Sequence, residues 1–275
     1  MSSEPSSSLL IAWQLKDKHV LIVGGGEVAS QRIDSVLPAG AHITLLAPAK
    51  GLHPRTRELI DLYTSRITYY DRRFSGPAEI NKMDLVLTAL DDPHRSREIC
   101  ELCRKARIPV NAADLPDLCD FYFGAQIRDG PLQIMISTNG NGPRMAALVK
   151  KKIADALSGR EGDAIDRVGV LRAQLKERAP GVGGPLGRRR MKWMSEVCNT
   201  WDIDDLMQLD NETIAKLLDE GWEKNTVPTL AELSGRKTRT TKKSGQSSIV
   251  KVLPAVGSFA LGAVCATAFF LGRRR

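Results

Sequence analysis

Short apolar runs alternate with amphipathic stretches along roughly the first 115 residues. Buried strands are predicted in "KHVLIV", "AHITLLAP", "RITYYDRRF", "MDLVLTAL" and "IPVNAAD". Helices are predicted in "EVASQRIDSV" and "DDPHRSREICELCRKA", the second with Asp92 as N-cap and Pro93 at its first position. Near-continuous apolar strands that alternate with helices are typical of a parallel sheet covered on both faces, and they predict an α/β fold.

The pattern of apolar residues changes after residue 115. "DFYFGAQI" and "PLQIMIST" predict a pair of strands around the turn "RDG". "PRMAALVKKKIADAL" predicts an amphipathic helix whose apolar face, including Met145, Leu148 and Val149, points inward. A small, mostly helical domain is expected over 159–234, interrupted by the flexible segment "APGVGGPLGRRR".

The C-terminal part of the chain is predicted to hold a linker and a hydrophobic helix. Residues 235–248 are polar and basic, as linkers are. Residues 252–272 carry no charge and are long enough to cross a hydrocarbon core of about 30 Å, and cations flank them on both sides. We therefore expect a transmembrane tail anchor at 249–275, with the rest of the protein in the cytoplasm.

The formal net charge of +8 belongs to this C-terminal part. Residues 235–275 hold nine basic residues and no acidic one, so residues 1–234 hold 31 basic and 32 acidic residues. A nearly neutral globular part gives no reason to expect a nucleic-acid partner. Five scattered cysteines indicate a reducing compartment. The pair Cys100 and Cys103 lies in a predicted helix and is expected to pack there, because no second pair completes a metal site.

A glycine-rich turn follows the first strand and enters the first helix. Its sequence is Gly24-x-Gly26-x-x-Ala29, in which the first glycine allows a tight turn and the second lets a pyrophosphate approach the backbone. Glu27 and Val28 then begin the helix, whose N-terminus favours an anion. The sequence therefore predicts a Rossmann-like domain over 1–115 that binds a nicotinamide dinucleotide.

The ends of the other predicted strands supply the remaining candidate cofactor residues. The second strand ends in Ala47 and Pro48, without the acidic residue that usually holds the ribose, so the choice between NAD and NADP stays open. Ligands bind at the carboxyl ends of the strands in such sheets. This rule adds Thr88 and Ala89 after the fourth strand and Asn111 on the fifth.

Three aspartates lie within seven positions after the fifth strand, with no cation among them. They are Asp114, Asp117 and Asp120. Asp114 lies at the end of the strand, where ligands are expected. Asp117 and Asp120 are expected to cap turns or to accept hydrogen bonds from backbone amides.

Three segments in this order resemble the siroheme synthase family, most of all its fungal bifunctional members. They are "LIVGGGEVA", "NAADLPDLCDFYFGA" and "LQIMISTNGNGPRMAALVKKKI", and the similarity spans about residues 10–160 and more loosely extends to about 230. The resemblance implies NAD-dependent oxidation of precorrin-2 to sirohydrochlorin, followed by insertion of Fe²⁺ to give siroheme. It also implies a homodimer formed through residues 116–158.

The resemblance also implies roles for individual residues. The family's catalytic aspartate corresponds to Asp114, and Thr138, a candidate for binding the substrate, stands where bacterial relatives have a serine. Arg144 is a candidate for binding the carboxylates of the macrocycle, with a solvated charge at a helix start as the alternative. No dedicated set of metal ligands is expected, because the macrocycle nitrogens coordinate the iron.

Two other functions stay open from the sequence. One is a precorrin-2 dehydrogenase without chelatase activity, because a single aspartate is expected to serve both steps. The other is a non-catalytic NAD-binding module held at a membrane, which needs the glycine turn but neither Asp114 nor "STNGNGPR".

Overall fold

A computed structural model of the protein describes residues 8–235, and its largest sheet has five strands. All four pairs of neighbouring strands are parallel, and the order across the sheet is β3-β2-β1-β4-β5. This confirms the predicted parallel sheet. The strands are β1 His19–Val23, β2 His42–Leu46, β3 Ile67–Tyr70, β4 Leu85–Thr88 and β5 Val110–Ala112.

Helices α1 Glu27–Val36, α2 Pro54–Leu62 and α3 Pro93–Ala106 accompany this sheet. Consecutive residues of β1 point into two separate apolar clusters, which buries the strand on both faces. Asp92 caps α3 as predicted, because its carboxylate accepts hydrogen bonds from the backbone amides of His94 and Arg95. The apolar pattern of the sequence had given no prediction of α2.

Residues after the parallel sheet form the predicted strand pair and helix. Strands β6 Ala125–Asp129 and β7 Leu132–Ile136 pair in antiparallel fashion, and α4 Pro143–Ala156 packs against them. The prediction that the apolar face of α4 points inward is wrong for the single chain. Met145 is 58% exposed, Leu148 43% and Val149 37%, because a two-stranded sheet is too small to cover the helix.

Helices also dominate the segment after α4, as predicted. The helices are α5 Glu161–Arg178, α6 Gly184–Thr200, α7 Ile203–Leu206, α8 Asn211–Lys216 and, after a π-helical turn at Leu217–Trp222, α9 Leu230–Leu233. The predicted interruption is shorter than expected. Helix α6 already begins at Gly184, because a proline at its first turn is compatible with a helix start. The described residues divide into two units, 8–227 and 228–235.

The predicted membrane anchor requires a correction. The predicted linker beyond Gly235 and the predicted hydrophobic helix at 249–275 lie outside the described residues. Within residues 8–235, no helix has the length and apolar character needed to cross a membrane. The part of the chain that the structure describes therefore does not support the predicted membrane localisation.

Candidate active site at the carboxyl edge of the parallel sheet

The turn between β1 and α1 passes unusually close to the end of β4. Gly24 has a φ of +120°, and its N–H donates to the carbonyl of Leu46 at 2.9 Å. A Cβ atom on Gly24 would lie 2.0 Å from the carbonyl oxygen of Ala89, which is backbone and cannot move aside. Only glycine fits this position, so the sequence prediction of a tight turn at Gly24 agrees with the geometry.

Gly26 stands at the N-terminus of α1 and faces open space. A Cβ atom there would meet nothing within 4 Å, and no side chain caps the helix. The first amides of the helix, which include those of Glu27 and Val28, therefore point to a space that an anion can enter. Tight packing at Gly24 and open space at Gly26 together fit a dinucleotide pyrophosphate.

Two buried oxygen atoms near this turn have no hydrogen-bond partner within residues 8–235. They are Oγ1 of Thr88, at the end of β4, and Oδ1 of Asn111, on β5. Thr88 is 1% exposed and Asn111 4% exposed. Buried polar atoms are nearly always satisfied, because an unmade hydrogen bond costs free energy. These two oxygens are therefore suited to contact a bound cofactor or substrate.

The end of β2 offers less to a cofactor than its sequence position indicates. Ala47 is buried, its N–H donates to the carbonyl of Tyr70, and its own carbonyl accepts from the hydroxyl of Tyr69. Exposed Pro48 leaves only apolar contact. An acidic residue does lie here, because the carboxylate of Asp71 accepts a hydrogen bond from the amide of Ala49 at 2.6 Å. Asp71 follows β3, and only the pairing of β2 with β3 brings it to this place.

Asp114 lies on a turn that begins directly after β5. Its φ is +59°, in the left-handed region that aspartate tolerates better than most residues, and its side chain is exposed. The turn is tied to β4, because the amide of Ala113 donates to the carbonyl of Thr88 at 2.9 Å. The carboxylate of Asp114 thus lies at the same edge of the sheet as the glycine turn.

Cys119 holds both ends of the Asp114 turn. Its Sγ lies 3.2 Å from the carbonyl oxygen of Ala112 and 3.4 Å from that of Leu115, and its single S–H can donate to either of them. The same Sγ accepts from the amide of Ala112 and from Nδ2 of Asn111, each at 3.3 Å. Burial raises the pKa of the Cys119 thiol, so it remains protonated and able to donate. Sequence reasoning missed this residue.

A second residue missed from the sequence is Arg32 on α1. Its guanidinium lies 4.1 Å from the centre of the Phe123 ring. Burial lowers the pKa of Arg32, while its electrostatic interactions with Cys119 and Asp114 raise it. No sequence signal marked Arg32, because helix periodicity does not show which later segment a residue will face.

The two other aspartates of the cluster have different surroundings. Asp120 accepts a hydrogen bond from the amide of Val110 at 2.9 Å through its carboxylate, which confirms the predicted backbone role. Asp117 is exposed in the short turn Pro116–Leu118, and its role in capping stays a prediction.

The structure does not join the predicted substrate residues Thr138 and Arg144 to Asp114. Oγ1 of Thr138 accepts from the amide of Gly142 at 3.2 Å and so closes the turn before α4. Arg144 is exposed in the first turn of α4. Within residues 8–235, no hydrogen bond or ion pair links either residue to Asp114.

The cysteine pair on α3 is structural, as expected. Cys100 and Cys103 are fully buried in the apolar cluster beneath the sheet. Burial raises the pKa of Cys100 to about 11 and that of Cys103 to about 12, so both stay uncharged thiols. In the part of the chain that the structure describes, no three histidine, cysteine or carboxylate side chains are grouped as metal ligands.

Three protein-family models match consecutive parts of the chain. Residues 11–125 match the model described as putative NAD(P)-binding. Residues 129–156 match the central part of sirohaem biosynthesis proteins, and residues 159–228 match their C-terminal part.

Curated proteins of siroheme biosynthesis are similar over most of the chain. The siroheme biosynthesis protein met8 of Schizosaccharomyces pombe is 43% identical over 85% of this chain and 86% of its own length. The protein of the same name from Saccharomyces cerevisiae is 31% identical over 77% of this chain and 89% of its own length. The siroheme synthase of Psychrobacter sp. is 30% identical over 88% of this chain but only 47% of its own length.

Among solved structures, a protein titled SirC, precorrin-2 dehydrogenase, has the same fold. Its TM-score is 0.57 at 21% sequence identity, over 78% of this chain and 98% of that protein.

Proposed function

Because the chain belongs to the sirohaem biosynthesis family, we propose that it oxidises precorrin-2 to sirohydrochlorin with NAD and then inserts Fe²⁺ to give siroheme. One observation carries the proposal. The exposed carboxylate of Asp114 lies on a turn at the carboxyl edge of the sheet, the same edge that carries the glycine turn. An oxidation that transfers a hydride and releases a proton needs an acceptor for each: Asp114 would accept the proton, and NAD held at the glycine turn would accept the hydride.

NAD fits the residues at this edge. Gly24 holds the tight turn, Gly26 would let the pyrophosphate approach the backbone, and the first amides of α1 would donate hydrogen bonds to it. The unpaired oxygens of Thr88 and Asn111 and the apolar surface of Pro48 complete the cofactor's surroundings. When bound, NAD supplies the hydride acceptor.

Asp114 is the base of both steps in this proposal. In the oxidation it accepts the proton that the macrocycle loses together with a hydride. In the metallation, Fe²⁺ is a substrate that displaces two pyrrole protons, and the same carboxylate accepts them in turn and passes them to water. The macrocycle nitrogens provide the coordination of the iron.

Substitution of Asp114→Asn tests the proposed base. Asparagine keeps the shape of the side chain and tolerates the positive φ, but it cannot accept a proton. We expect both activities to fall by about 10²- to 10⁴-fold while NAD binds as in the wild-type protein. The assays follow the macrocycle's absorbance anaerobically, with precorrin-2 and NAD⁺ or with sirohydrochlorin and Fe²⁺.

Asp117→Asn is the matched control, because it removes an exposed carboxylate three positions further along and should leave both activities intact. Full metallation by the Asp114→Asn protein would show that another group accepts the pyrrole protons. A wild-type protein that oxidises precorrin-2 but does not insert iron would limit the function to the dehydrogenase.

The exposed apolar face of α4 supports a homodimer through residues 116–158. Met145, Leu148 and Val149 are spaced three and four positions apart, so they share one face of this helix, and they are exposed in the single chain. A second copy that covers them would remove apolar area from water and enlarge the two-stranded sheet beneath.

Leu148→Glu tests this interface by placing a charge in its centre. We expect a dimer of the wild-type protein and a monomer of the variant in light scattering at micromolar concentration. Lys152→Glu, on an exposed position of the same helix, is the control for the charge itself. A wild-type monomer would contradict the proposed dimer.

A further inference from the structure

Arg32 is a partly buried cation without a countercharge in contact. Its guanidinium stacks 4.1 Å from the centre of the Phe123 ring, yet no carboxylate of residues 8–235 lies within salt-bridge distance of it. Arg55 shows the usual arrangement, because it bonds the carboxylates of Asp34 and Glu58. A guanidinium is always charged, so its partial burial without an ion pair costs free energy unless a ligand supplies the anion.

Arg32 lies close to the segment that carries the proposed catalytic residue rather than on a remote surface. The Phe123 ring beneath it packs edge to face against the Phe121 ring, with 5.6 Å between the ring centres. The backbone carbonyl of Phe121 accepts a hydrogen bond from Nδ2 of Asn111 at 2.7 Å. Asn111 precedes Asp114 by three positions in the chain. Arg32 also interacts electrostatically with Asp114, which lies at the carboxyl edge of the sheet.

We propose that Arg32 binds a side-chain carboxylate of the macrocyclic substrate and so holds the ring against Asp114. The inference rests on the proposed function, because precorrin-2 and sirohydrochlorin both carry several carboxylates around an apolar ring. The planar fork of arginine matches a carboxylate with two parallel hydrogen bonds. Stacking on Phe123 fixes the plane of that fork before the substrate arrives, which lowers the entropy lost on binding.

Substitution of Arg32→Gln tests the contact, with Arg97→Gln as its control. Arg97 is an exposed arginine on α3, and its loss removes the same charge elsewhere. We expect Arg32→Gln to weaken sirohydrochlorin binding about 10- to 100-fold, the loss typical of a charged hydrogen bond. The affinity for NAD should stay near the wild-type value. Absorbance titration of sirohydrochlorin and calorimetry with NAD provide the two affinities.

Each other outcome has a defined meaning. Unchanged sirohydrochlorin affinity in Arg32→Gln would overturn the inference. If Arg32→Gln keeps its sirohydrochlorin affinity but shifts the acid limb of the kcat–pH profile, the inference is also overturned. Arg32 would then influence the protonation of Asp114 rather than bind the substrate. If Arg32→Gln loses its fold, judged by circular dichroism and NAD binding, Arg32→Lys decides: it keeps the charge but not the fork, and wild-type affinity would refute the contact. A wild-type protein that neither binds nor oxidises the macrocycle would refute the proposed function itself.

Discussion

The two glycines of the β1–α1 turn should respond in opposite ways to the same small substitution. In Gly24→Ala, the new Cβ would lie 2.0 Å from the carbonyl oxygen of Ala89 and 2.7 Å from its carbonyl carbon. Overpacking of this kind costs about 1–3 kcal/mol. The φ of +120° is strained for any residue with a side chain and adds about 1–3 kcal/mol.

Gly24→Ala should therefore lower the free energy of unfolding by about 2–6 kcal/mol, a large part of the roughly 5–15 kcal/mol that domains have. Gly26→Ala should change it little. Its φ of −74° suits alanine, and the methyl group meets nothing within 4 Å. Replacing glycine by alanine at the N-cap lowers the free energy of unfolding by under about 1 kcal/mol. Alanine also reduces the conformational entropy of the unfolded chain, which raises the free energy of unfolding by a similar amount.

Among the folded proteins, the affinity for NAD should fall more in Gly26→Ala than in Gly24→Ala, which is the reverse of their order in lost stability. The methyl group of Gly26→Ala occupies the space that the pyrophosphate needs, so NAD should bind at least about 10-fold more weakly, and Gly26→Val should weaken it further. Urea unfolding followed by tryptophan fluorescence gives the stabilities, and calorimetry gives the affinity for NAD. Equal destabilisation by both alanine substitutions, or wild-type NAD affinity in Gly26→Ala, would refute this account of the turn.

Three further predictions concern single side chains. Thr88→Val removes a buried hydroxyl that lacks a partner, so the cofactor-free protein should gain up to about 1–2 kcal/mol in urea unfolding while its affinity for NAD falls. Cys119→Val removes the Sγ contacts at both ends of the Asp114 turn, so kcat should fall by about 10²-fold while the affinity for NAD stays unchanged. Cys119→Ser should restore part of the rate. An unaltered kcat in the valine variant would contradict the positioning role. Hydrogen bonds from backbone amides, first that of Ser158, lower the pKa of Glu161 to about 2. The contribution of Glu161 to stability is therefore complete above about pH 5 and disappears as the pH falls toward 2. In acid unfolding, Glu161→Gln should lose less stability over this range than the wild-type protein does.

Local patterns in the sequence were enough to predict the parallel sheet, the glycine turn and the cap of α3. Each depends on residues close together in the chain. Strand β1 is apolar at every position inward of His19, because a strand covered on both faces must be. Asp92 caps α3 through amides only two and three positions away. The choice of Asp114 needed in addition the general rule that ligands bind at strand ends, together with the family resemblance.

Contacts between distant segments could be decided only by the tertiary structure. Asp71 reaches the end of β2 because β3 pairs with β2 in one particular register. Arg32 faces Phe123 because the chain after β5 returns across α1, a path that helix periodicity does not encode. The apolar face of α4 was predicted correctly as apolar but wrongly as covered, since a hydrophobic pattern shows which face avoids water and not whether the same chain supplies the cover.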